Sequence, residues 1–175
     1  FQIAARDFIA TGPRTTFNIG RIGGGTSVNA IPFESWAEVD MRSESPDRLD
    51  GIDALLHEAL EGAVAAHNQR RDRGEALSVN LELIGKRPSG KVPAQTPLIQ
   101  RALAAGRHLG VTPELGSGST DANVAITLGI PATTISRGGV SGAAHSLDEW
   151  WSDHEVVTGT HKALLLMLSS AGLAD

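Results

Sequence analysis

The sequence predicts a chain of mixed class, α+β in residues 1–88 and α/β in residues 89–175, and three observations carry that expectation. The apolar residues of the first half switch between helical and alternating periods in the order helix, strand, strand, helix, strand. A stretch rich in Pro, Gly and Lys, residues 85–95, then reads as a linker. Beyond it, helical patterns surround a short buried apolar run, which is the α/β style.

Taken in order, Phe1 to Ala10 has helical spacing of apolar residues with no capping residue in front, so it reads as a helix cut in the middle. Thr11-Gly12-Pro13 stops it. Residues 15–22 alternate as a strand, a glycine turn follows at Gly23-Gly24-Gly25, and residues 35–42 alternate again. In that second strand Ala37, Val39 and Met41 form the core side, while Trp36, Glu38, Asp40 and Arg42 share the other face. Ser45-Pro46-Asp47 supplies an N-cap, a first-turn proline and a first-turn acid; Leu49, Ile52, Leu55, Leu56, Leu60 and Val64 are the buried stripe of a helix running to about Asn68. Residues 77–84 alternate cleanly and predict a further strand. One more strand ahead of the first helix would complete the split βαβ order of a ferredoxin-like sandwich.

In the second half, Thr96-Pro97 opens a helix to about Leu109, residues 119–128 suit another, and residues 130–135 suit a buried strand. Ser152-Asp153-His154-Glu155 has the spacing of a capping box for a last helix reaching about Ser170.

Composition excludes several functions. With no cysteine, disulfides, thiolate metal sites and cysteine nucleophiles are impossible within the chain, and a reducing, cytoplasmic setting is the expectation. A net charge of -5 with dispersed basic residues argues against a nucleic-acid surface. The apolar run 163–168 is too short to span a bilayer, so no membrane partner is expected.

Of the six histidines, His57, His67, His108 and His161 lie in helical patterns where surface roles are commonest, and His154 sits beside a helix start. His145 differs. It stands in the glycine-flanked run Gly142-Ala143-Ala144-His145-Ser146-Leu147-Asp148-Glu149, after a strand and before a helix, where α/β folds aim side chains at ligands. A neutral imidazole there can bind a divalent metal. Asp121 is either a ligand or a first-turn acid, the second being the commoner role. Arg42 beside Asp40 is either a salt bridge or a clamp on a carboxylate, and Asn29 is most simply a turn residue. A triad of Ser119, His145 and Asp148 lacks any Gly-x-Ser-x-Gly elbow.

Together these segments resemble the metallopeptidase family of acetylornithine deacetylase, succinyl-diaminopimelate desuccinylase, glutamate carboxypeptidase and tripeptide aminopeptidase. Residues 23–32, from Gly23-Gly24-Gly25 through Asn29 to Ile31-Pro32, resemble its Gly-Gly-x-x-x-Asn-x-Ile-Pro signature, and Val39-Asp40-Met41-Arg42 its Asp-x-Arg strand. Ser119-Thr120-Asp121-Ala122-Asn123, Gly129-Ile130-Pro131 and the segment from His145 to Glu149 follow in the family's order. The resemblance implies a ferredoxin-like lid that dimerises, here lacking its first strand, over residues 1–88. Residues 89–175 would then be the C-terminal portion of an α/β zinc-exopeptidase catalytic domain. It further implies His145 as a ligand of the second of two divalent metals, zinc by preference over cobalt or manganese. Asn29 and Arg42 would hold a substrate carboxylate, with Gly118 and Ser119 lining the same cleft.

By the same resemblance the remaining ligands and the general base lie upstream of Phe1, so no catalytic residue is expected in the chain itself. A catalytic zinc normally takes three protein ligands, so the chain alone is expected to hold none. The parent is therefore expected to be a homodimeric hydrolase acting on a peptide or N-acyl amino acid, at an amide next to a free carboxylate. The alternative is that these residues alone form a non-catalytic dimerisation and substrate-recognition module.

Overall fold

The computed structural model describes residues 1–172 and divides the chain into two compact units, Phe1–Gly90 and Lys91–Asp175. It is a mixed α/β structure whose sheets are small and antiparallel.

In the first unit, α1 (Gln2–Ile9) leads into β1 (Thr15–Gly24), which pairs antiparallel with β2 (Ser35–Ser43), and α2 (Pro46–Arg70) follows. The ladder sets Phe17 opposite Met41 and Ile19 opposite Val39, so one face of the hairpin is apolar and half-buried while Asp40 and Arg42 stay exposed. A bulge at Gly20 then shifts the register. The helices cover the apolar face: Ala5 of α1 and Ile52 and Leu56 of α2 are the buried core, and Phe1 meets Phe17 edge to face with centroids 5.1 Å apart. Gly51 exists as glycine because Phe8 lies over it: a methyl there would sit 2.8 Å from the ring. Arg48 stacks its guanidinium over the Phe8 ring, 3.6 Å from the centroid, and donates to the carbonyls of Phe8 and Thr11, closing the end of α1. Thr15, the buried polar residue of this unit, bonds the Pro13 carbonyl at 3.0 Å and the Ser43 hydroxyl at 2.9 Å, which ties the open end of the hairpin.

The strand expected at residues 77–84 does not form. A strand exists through a partner that takes its N–H and C=O groups, and this segment finds no strand partner among the described residues. Among the described residues the Asn68 side chain bonds both backbone groups of Leu77 as a strand would, and Leu77, Leu83 and Ile84 remain exposed. The ferredoxin-like expectation is therefore met only as a two-stranded sheet with helices.

In the second unit, α3 (Pro97–His108) packs against α5 (Val156–Ala171), with Ile99, Ala102 and Ala105 buried in the seam. Between them lie α4 (Ala122–Thr127) and a short ribbon of β3 (Val140–Gly142) and β4 (Trp150–Ser152). Residues 130–135 run without a ladder rather than as a strand, for the same want of a partner. The capping box is also absent. Ser152 is held in β4 opposite Val140, so α5 starts at Val156 behind a left-handed Glu155, with no side-chain cap. Gly159 is buried against the backbone of Arg137 and Gly138, where any side chain would collide with the Arg137 carbonyl.

Candidate functional site

The candidate residues fall on both units, Asn29 and Arg42 on the first and Gly118, Ser119 and His145 on the second. Arg42 lies near the tied end of the hairpin, opposite Thr16. Its Nε donates to Asp40 Oδ1 at 2.6 Å and its Nη2 to Oδ2 at 3.4 Å, both on the exposed face. The hydrogen bond to Asp40, then the Asp40 charge, raise the guanidinium above its ordinary pKa, against a small opposing effect of burial. Asn29 lies in the connection beyond Gly24 and Ser35, where its Oδ1 accepts from Ser27 Oγ at 2.5 Å. The ladder from Ser35 to Arg42 rises about 23 Å at roughly 3.3 Å per residue, so the hairpin holds the two residues toward opposite ends. The connection that carries Asn29 thus leaves the ladder at the Gly24–Ser35 end, and Arg42 stands near the Thr15–Ser43 end. The same connection exposes Val28, Ile31 and Phe33 almost fully, at 108%, 93% and 84% of their reference areas, which makes it an apolar tip rather than a closed turn.

Gly118 and Ser119 are exposed in the loop before α4. That helix starts through a contact the sequence reading missed: Asn123 Oδ1 accepts the Thr120 N–H at 3.0 Å, while Thr120 and Thr134 hydroxyls meet at 2.8 Å. Asp121 occupies the N-cap without a side-chain cap bond. The Ser/Thr-Asp-Ala-Asn order, with a short polar side chain three residues past the first free N–H, was the available signal.

His145 sits near the middle of the loop joining β3 to β4 and is exposed. The neck of this loop is made by glycine and tryptophan. Gly142 pairs with Trp150 in the ladder, and a methyl on Gly142 would lie 2.6 Å from the Trp150 indole; on Gly139 it would lie 2.5 Å from that of Trp151. Arg137 adds a cation–π contact to Trp151, 5.0 Å to the centroid. Inside the loop, Ser146 Oγ donates to the Ala143 carbonyl at 2.7 Å and accepts from the Asp148 N–H at 3.1 Å. Glu149 Oε2 accepts the His145 N–H at 3.1 Å. Both Ala143 (φ 52) and His145 (φ 65) are left-handed, a conformation that costs L-residues of order 1–3 kcal/mol and that persists only where surrounding contacts impose it. The His145 imidazole makes no hydrogen bond or ion pair among the described residues, leaving its nitrogens as open donors to a metal or proton. Glu149 was visible in the sequence only as the end of the His-x-x-x-Glu run, and its spacing alone says nothing of a backbone bond.

As a test of fit to a metal centre, His145 supplies one suitable nitrogen, yet the described residues contain no group of three or more His, Cys, Asp or Glu that could hold an ion. His57 lies between Asp53 and Glu61 at 4.0 and 3.9 Å on an exposed helix face, a solvated i,i+4 arrangement. Two shallow recesses occur in the second unit, one along Lys91, Val92, Ile126 and Pro131, the other between α3 and α5 beside Arg101, His108 and Leu165; neither is lined by Gly118, Ser119 or His145. Among the described residues no helix is long and apolar enough to cross a membrane.

Comparison with known proteins adds two findings. Residues 3–68 match the family model described as Peptidase dimerisation domain (M20_dimer), which supports the peptidase family that the motifs resemble. The chain is also 30% identical over 126 residues to "Uncharacterized protein YqjE" of Bacillus subtilis (strain 168). That alignment covers 71% of this chain and 32% of the relative, so the chain spans about a third of the length of the protein it matches.

Proposed function

We propose that this chain, whose residues 3–68 match a peptidase dimerisation domain, is part of a metal-dependent hydrolase that cleaves a peptide or amide bond next to a free carboxylate. That match is the observation that carries the reading. It also supports a homodimer formed through the first unit. Specific members of the family, the substrate and the metal, with zinc preferred, are proposals that rest on the motif order.

In this reading His145 contributes one neutral imidazole to a two-metal centre whose other donors and general base lie outside the described residues. Its left-handed backbone, its place between two paired strands and its partner-free ring support that role. Bound divalent ions would supply a polarised water and charge stabilisation at the carbonyl. The remaining work falls to side chains here. Arg42 offers a planar, permanently charged fork suited to a carboxylate, held ready by Asp40, and a substrate would share or displace that partner. Asn29 would present its amide from the hairpin connection. Because the connection bearing Asn29 leaves the ladder at the end away from Arg42, a single carboxylate touching both would need that connection to reach back along the hairpin or a second copy to supply one of them. Gly118 and Ser119 would line the cleft from the loop before α4.

The deciding experiment is metal analysis of the intact protein with His145→Ala. The expected result is loss of bound metal and of turnover on N-acyl amino acids or small peptides. An unchanged metal stoichiometry in that variant overturns the assignment of His145.

A further inference from the structure

We propose that the apolar tip of the β1–β2 hairpin, the connection carrying Val28, Ile31 and Phe33, is a contact surface for a second copy of this chain; the proposal rests on the reading of the first unit as the one through which the protein dimerises. Three observations converge on it. The tip lies inside residues 3–68, the stretch that matches a peptidase dimerisation domain. Within that stretch the exposed large apolar side chains gather at one place: Ile22, Val28, Ile31, Phe33 and Trp36 stand at the tip end of the hairpin, and among the described residues only Ile3, on α1, lies elsewhere. Such a gathering of bare apolar surface marks a place of contact, because water is its least favourable neighbour. Finally, the tip carries no charge. No Asp, Glu, Lys or Arg occurs from Ile22 to Phe33, and just behind them Arg21 and Glu38 pair with each other at 2.8 Å.

The absence of charge selects the occupant. In a two-fold dimer a patch near the axis meets its own copy, so a charge there would face a like charge, whereas an uncharged apolar patch is complementary to itself. The Arg21–Glu38 pair then forms part of a polar rim. The tip is also ordered before any partner arrives: the Gly25 N–H donates to the Glu34 carbonyl at 3.1 Å, the Ala30 N–H to the Ser27 carbonyl at 3.2 Å, and Ser27 Oγ to Asn29 Oδ1 at 2.5 Å. Little conformational freedom is therefore lost on contact. A standard interface takes roughly 800 Å² from each partner, more than three side chains offer, so the tip is the anchor of a wider contact. That anchor is the apolar side chains flanking Asn29 and not its amide.

The test uses Phe33→Ser, Ile31→Ser and, as a control away from the tip, Ile3→Ser in the intact protein. Sedimentation velocity over a range of concentrations gives the dissociation constant of the dimer, and circular dichroism checks that each variant is folded. The wild type is expected to be a dimer that Phe33→Ser and Ile31→Ser each weaken by about 10-fold or more, while Ile3→Ser leaves it unchanged. A wild-type dimer whose dissociation constant is the same in both tip variants overturns the proposal and leaves the homodimer reading standing; the tip is then covered by something other than a second copy. Equal weakening by Ile3→Ser also overturns it, because loss of apolar surface anywhere would then suffice. Failure of the underlying reading is separate: it shows as a wild type that stays monomeric at every concentration, which overturns the homodimer and this contact together. Should Phe33→Ser not fold, Ile31→Ser and Val28→Ser decide.

Discussion

The side-chain amide of Asn68 closes on both backbone groups of Leu77, donating from Nδ2 to the Leu77 carbonyl and accepting the Leu77 N–H at Oδ1, each at 2.9 Å. It does for one residue what a neighbouring strand would do for a whole segment, tying the chain after α2 back onto the end of the helix. Asn68→Ala is expected to lower the stability of the first unit by about 1 kcal/mol, since two solvent-exposed bonds at the low end of roughly 0.5–1.5 kcal/mol each are lost. Asn68→Asp, which keeps the acceptor and loses the donor, should fall between. Urea unfolding followed by circular dichroism checks both.

Ile52 is the largest fully buried side chain among the described residues, on the helix α2 that packs against β2 and α1. Truncation to Val removes one methyl and should cost about 0.5–1.5 kcal/mol, and truncation to Ala about 2–5 kcal/mol. Equal midpoints for the Val and Ala variants in chemical denaturation would contradict the packing described for this unit.

Gly159 lies where α5 meets the Arg137–Gly138 backbone, and a methyl there has no room. Gly159→Ala should therefore destabilise the second unit by about 1–3 kcal/mol or more, although alanine favours an isolated helix over glycine by about 1 kcal/mol. A stabilised variant would show that this close approach does not exist.

Arg42 is held above its ordinary pKa by Asp40, so the sign of its pH dependence follows directly. A raised folded value means the interaction is complete below the unfolded value and is lost only as pH rises through the folded one, in strongly alkaline solution. Within the working range of an enzyme, Arg42 should add no break to a pH–rate profile. In the proposed hydrolase, Arg42→Lys should still lower kcat/KM by about 10-fold or more for carboxylate-bearing substrates, because an ammonium cannot replace the fork. Activity unchanged in Arg42→Lys would remove this residue from substrate recognition.

The exposed pair of Arg21 with Glu38, 2.8 Å apart, stands as a contrast. Its side chains are 67% and 43% accessible, so Glu38→Gln should change stability by less than about 1 kcal/mol, with the difference fading in salt. Paired thermal melts at low and high ionic strength measure it.

Much of the chain was legible residue by residue wherever the determining contacts are close in sequence. The Ser45-Pro46-Asp47 start and the Leu49-to-Val64 stripe correspond to α2, Thr96-Pro97 to the start of α3, and the two alternating runs around Gly23-Gly24-Gly25 to the β1–β2 hairpin. The failures share one cause. Residues 77–84 and 130–135 have the pattern of strands, but a pattern records which face would be buried and not whether a partner lies alongside. Conversely, β3 and β4 are short and carry two adjacent tryptophans and a glycine, so no period announces them; they exist because Gly142 and Gly139 leave room for the indoles of Trp150 and Trp151.

The candidate site divides along the same line. From the sequence alone came the residue types and their order: an imidazole in a glycine-flanked loop, an arginine ending a strand beside an aspartate, and an asparagine in a glycine-rich connection. These are properties of neighbours along the chain, and elementary chemistry is enough to read them. Only the tertiary structure decided that Arg42 is already engaged by Asp40, that the connection bearing Asn29 leaves the ladder at the end away from Arg42, and that Glu149 bonds the left-handed backbone of His145. The physical reason is that hydrogen-bond direction and backbone strain depend on where the chain returns to in space, which a linear pattern does not encode.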